Sequence, residues 1–126
     1  MKAFFKTSSV LWVIWGIVHI FFGVFTVYLV LNNYTSRVVA EIANAVSPEL
    51  LKMDYPAAAN ALLGQHGWNL IWFGIVTLIA GFYVWKGNKN AIFLAAIVGG
   101  LADLGYLLFM DLGGYVTFFP GTLMTI

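Results

Sequence analysis

The chain has 126 residues, of which 62% are hydrophobic, 17% aromatic and only 9% charged, with a net charge of +1. A soluble domain carries about 25% charged residues, so this composition excludes a wetted globular surface and predicts a single membrane helix bundle over residues 1–126. The small charge excludes a basic footprint for nucleic acid, and the lack of cysteine excludes disulfides, thiolate metal sites and cysteine nucleophiles.

Two lysines, Lys2 and Lys6, precede the first long apolar run, 10–31. At 1.5 Å per residue it covers about 33 Å, enough to cross a bilayer. It is too long for a signal-peptide core and lacks a small-x-small cleavage site at its end, so it reads as a retained span, with Thr7 or Ser8 as N-cap. Residues 32–64 form the only extended polar-containing region. Val38, Ile42 and Val46 recur there at helical spacing behind Thr35 and Ser36. Ser47–Pro48 suits a second short helix, with proline at its first position. Tyr55–Pro56 suits a third, stopped by Gly64. Short amphipathic helices on the membrane surface are the expectation.

The second span is expected over 67–85 and the third over 91–110, joined by a tight turn at 86–90 with Asn90 as N-cap. Asp111 to Gly114 breaks the third span. The apolar remainder, 115–126, is too short to cross as a helix; it reads as re-entrant, interfacial or the start of a fourth span cut short. Lysines at the N-terminus and at Lys86 and Lys89 put those ends in the cytoplasm and the 32–64 loop outside, in a multi-pass cell-membrane protein. Trp12, Trp15 and Trp85 would then mark the inner interface, and Trp68 and Tyr115 the outer.

Ser9, Gly16 and Gly23 are seven apart, as are Gly67, Gly74 and Gly81. Small residues on one face let helix backbones approach closely in lipid. In an antiparallel pair they predict a seam of Ser9/Gly81, Gly16/Gly74 and Gly23/Gly67. The two spans also echo each other: 21–27 resembles 72–78. Two glycine-seamed helices of similar composition account for that echo, with inverted repetition as the alternative.

The first two spans hold no charge, whereas the third contains Asp103. A carboxylate at that depth needs a partner, and His19 and Tyr106 are the expected neighbours for a ligand-binding or proton-handling pair. A second polar cluster, Gln65, His66, Asn69 and Asp111, falls at the expected outer ends of the spans. It could meet a polar head group, a quinone carbonyl or a metal, or simply cap helix ends in water. His19 and His66 are placed at depths differing by more than half the hydrocarbon core, so one metal between them is not expected. A haem on His19 or a bound quinone is the cofactor chemistry these residues could support. No zinc, phosphate-loop or nucleophile-elbow spacing occurs, so no catalytic residue is assigned.

The size and span pattern resemble small bacterial membrane proteins with four short helices, such as those grouped as DoxX-like, without a shared motif. The chain departs from small multidrug transporters in lacking a glutamate in its first span, and from fluoride channels in lacking an arginine there. The expected role is an accessory or structural subunit of a membrane assembly, or a self-associating bundle. The alternatives are a binding protein or transporter using His19 and Asp103, and a lipid- or quinone-directed enzyme.

Overall fold

A computed structural model describes residues 2–122 of the chain. The described residues are helical, with no strand. Three helices are long and apolar enough to cross a membrane.

Helix α1 runs unbroken over Lys2–Leu31, eight residues earlier than the apolar run alone suggests. Lysine is a good helix former, and Thr7 does not cap; its hydroxyl donates back to the Ala3 carbonyl (3.2 Å). Asn33 ends the helix in the left-handed region (φ 60°). Its N–H donates to Val30 and that of Tyr34 to Leu29, which satisfies two terminal carbonyls. Two short helices follow, α2 (Thr35–Ile42) and α3 (Pro48–Leu51), the latter with Pro48 at its first position as expected. Val38 of α2 is fully buried on Leu29 and Val30, with Phe25, Ile42 and Leu63 around it.

Helix α4 covers Ala57–Trp85 without interruption. The expected third surface helix is therefore the first two turns of the second span, and Gly64 does not stop it. A glycine inside a helix costs about 1 kcal/mol, which packing along α1 outweighs. Asn60 ties this extension down: its amide donates to Val30 (3.2 Å) and accepts from Thr35 (2.8 Å). Helix α4 ends at Gly87 (φ 81°) with the same paired carbonyl bonds seen at Asn33. Asn88, not Asn90, then caps α5 (Lys89–Tyr106), accepting from the N–H groups of Asn90 and Ala91. A bidentate acceptor at that site requires the residue before the helix, which is Asn88.

The glycine faces of α1 and α4 meet backbone to backbone. A Cβ at Gly16 would lie 2.7 Å from the Gly74 carbonyl, and one at Gly23 would lie 2.6 Å from that of Gly67. The Ser9 hydroxyl donates to the Gly81 carbonyl (2.6 Å). These contacts are reciprocal. Gly16 meets Gly74 and Thr77, while Gly67 meets Gly23 and Thr26; Gly23 meets Ile71, while Gly74 meets Ile20. The offset of 51 residues (16 to 67, 20 to 71, 23 to 74, 26 to 77) is that of the sequence echo, so the echo corresponds to a pseudo-two-fold seam.

Beyond Tyr106 the third long helix widens into a π turn, Leu107–Asp111, and stops at Gly114 (φ 74°). The segment after it turns back along the bundle end. Val116 is buried, the Thr117 N–H donates to the Asn44 side chain (2.7 Å), and the Ala45 N–H donates to the Tyr115 carbonyl (3.0 Å). A second π turn, Phe118–Thr122, is kinked at Phe119. Residues 123–126 of the expected C-terminal segment lie outside the described residues.

Candidate functional site: a carboxylate, an indole and an imidazole

Helix α5 buries Ala91, Ala95 and Gly99, four residues apart on one face. Asp103 is the next residue on that face. Small residues bring the start of α5 close to α4. Farther along, the link to α1 passes through long side chains: the Trp12 ring lies over Gly99, where an added Cβ would come within 2.4 Å of it. One turn on, the Trp15 indole N–H donates to both carboxylate oxygens of Asp103 (3.0 and 3.2 Å). Both tryptophans face the third helix.

Asp103 thus takes its hydrogen bond from Trp15. No hydrogen bond or ion pair joins it to His19 among the described residues. His19 belongs to the cluster through the same indole, on which its ring stacks (centroids 3.5 Å apart, planes at 18°). His19 Nδ1 lies 2.9 Å from the Trp15 carbonyl. A carbonyl only accepts, so Nδ1 donates in this contact, and in the neutral form of the ring Nε2 is the acceptor. Trp15 therefore organises both groups that the sequence marks. The signal for it was present: Trp12, Trp15 and His19 fall on one face of α1 at helical spacing.

The second cluster is dispersed. Gln65 is exposed, and Asn69 accepts from the Trp72 indole (3.1 Å). Asp111 accepts from the Thr122 hydroxyl and lies within electrostatic reach of Tyr106. His66 lies within electrostatic reach of His19. The seam explains this: Gly67 packs on Gly23 and Thr26, so His66 sits roughly 7–13 Å along the axis from His19, less than half the hydrocarbon core. The larger separation expected from the sequence rested on starting the second span at Gly67.

No family model matches the chain, and no curated protein or solved structure matches it. What the site can do rests on its own chemistry. Among the described residues, no group of three or more histidines and acids is placed to hold a metal ion. The arrangement offers acceptors, the Asp103 carboxylate and His19 Nε2, against the aromatic surfaces of Trp12 and Trp15, whose rings meet edge to face at 6.1 Å. Away from the long helices, the Ser47 hydroxyl donates to the exposed Glu49 carboxylate and holds its pKa below the usual value.

Proposed function

We propose that the protein is a small multi-spanning membrane protein acting as a structural or accessory subunit, in copies of itself or beside other membrane proteins. The observation that carries this reading is the outward surface of the bundle. Val10, Ile14, Ile17, Phe21 and Val24 of α1 are about half exposed or more, as are Leu94, Ile97, Leu101 and Leu104 of α5 and Leu108 of the π turn that follows it. Each set repeats at alternating steps of four and three, a continuous apolar stripe of the kind that meets lipid or another helix. The lysines favour a cytoplasmic N-terminus and α4–α5 turn, with α2 and α3 outside. Extraction in mild detergent, followed by light scattering and mass spectrometry of what co-purifies, tests the role. An oligomer or a stoichiometric partner is expected, and a monomer without partners contradicts it.

A second reading has its own observation. A carboxylate held by one indole, beside an imidazole with a bare nitrogen, supports a binding or proton-handling site for a small ligand. In that reading Asp103→Asn abolishes ligand binding or its pH dependence while the helical content is unchanged; an unaffected protein excludes it.

A further inference from the structure

The chemical class of that ligand follows from what the site lacks, and the inference rests on the second reading above. We propose that Asp103, held by Trp15 where α5 meets α1, takes a protonated amine carrying a small apolar body. Asp103 has no cationic partner among the described residues of the three long helices. No lysine or arginine lies between Thr7 and Leu31 or in Ala57–Trp85, and α5 carries only Lys89, at its first residue. At 1.5 Å per residue that lysine is roughly 21 Å away along the helix. The Trp15 N–H is one donor shared over two oxygens, while a carboxylate accepts about four hydrogen bonds.

The neighbouring imidazole adds a second acceptor. With Nδ1 committed to the Trp15 carbonyl, His19 Nε2 has no hydrogen-bond partner among the described residues, yet no side-chain nitrogen or oxygen is both fully buried and unpartnered. That nitrogen is therefore reachable. A carboxylate with acceptor capacity to spare in apolar surroundings, with aromatic rings beside it, complements a ligand that brings positive charge and N–H donors together. A neutral alcohol offers one donor and no charge. An anion is repelled by Asp103. Trp15 is a positioning residue here: it fixes the carboxylate with its N–H and the imidazole with its carbonyl and ring face.

Three probes with one apolar body separate these cases: the phenethylammonium ion, 2-phenylethanol and phenylacetate. Each is titrated into the full chain in nanodiscs of zwitterionic lipid, following the indole N–H resonances by NMR, with the Trp15 signal assigned from Trp15→Phe. Phenethylammonium should shift the Trp15 resonance saturably, with 2-phenylethanol about tenfold or more weaker and phenylacetate without effect. Asp103→Asn should remove the response and Asp103→Glu, which keeps the charge, should retain it in part; Gln65→Ala, on the exposed side, should leave it unchanged. Equal binding of the alcohol or the acid overturns the amine assignment and leaves the binding reading standing. A Trp15 resonance that none of the three moves overturns both. An Asp103→Asn protein that still binds phenethylammonium overturns the amine assignment alone.

Discussion

Helix α1 makes two contacts of opposite kinds. Against α4 it touches through backbone, with carbonyls of one helix seated on glycines of the other. Against α5 it reaches out with two indoles, one over Gly99 and one onto Asp103. The first contact is rigid where backbone meets backbone, because a main-chain carbonyl cannot rotate away. The second depends on side-chain conformation, and the polar chemistry lies there. The bundle thus separates a fixed two-helix frame from a third helix whose contact with α1 is adjustable.

The largest effect should come from filling the frame. Gly74→Leu forces its Cβ to within 2.5 Å of the Gly16 carbonyl. It should destabilise the bundle by roughly 2 kcal/mol or more, read by far-UV circular dichroism along a denaturing-detergent titration. Gly100→Ala is the control, because nothing lies within 4 Å of that position and alanine is the better helix former. If the two substitutions cost the same, the seam is not the frame.

The contact to α5 should be softer. Gly99→Ala meets the tip of the Trp12 ring, which can swing aside, so the cost should be near 1 kcal/mol, with a changed Trp12 emission. The Trp15–Asp103 bond should show a coupling of about 0.6–1 kcal/mol in a double-mutant cycle of Trp15→Phe and Asp103→Asn, as interhelical hydrogen bonds in membranes do. A coupling near zero would remove the bond as the tether of α5.

This contrast also sets what could be read without a structure. The frame was legible because its determinant is periodic: glycines every seven residues give the register of Ser9/Gly81, Gly16/Gly74 and Gly23/Gly67 directly. The start of α4 was not, because Gly64 and the polar Gln65 and His66 mimic a helix end, and only packing against Val30 and Thr35 shows the helix continuing. Asp103 and His19 were legible as ionisable groups in apolar helices. Their mediator was marked only by sharing a face with His19, since a tryptophan near a span end fits an interface anchor as well as a hydrogen-bond donor. The return of 115–117 to Asn44 and Ala45 has no local signal, as it depends on where α2 ends.

The smallest effect lies outside the long helices. Ser47→Ala should raise the Glu49 pKa toward its ordinary value, seen in an NMR titration of the side-chain carboxylate. Because the folded value is depressed, the Ser47 contact favours the folded chain above the ordinary carboxylate pKa and loses that contribution as pH falls through the lowered value. An unchanged titration would show that the hydroxyl does not hold the carboxylate.

Three helices are long and apolar enough to cross a bilayer, and if all three do, α2–α3 and the α4–α5 turn lie on opposite sides. The chain has no cysteine, so single cysteines report without background. Lys52→Cys and Lys89→Cys are each treated in intact cells with a membrane-impermeant maleimide, before and after permeabilisation. Labelling is expected at residue 52 in intact cells and at residue 89 only once the membrane is opened. Equal labelling of both positions in intact cells would contradict that arrangement.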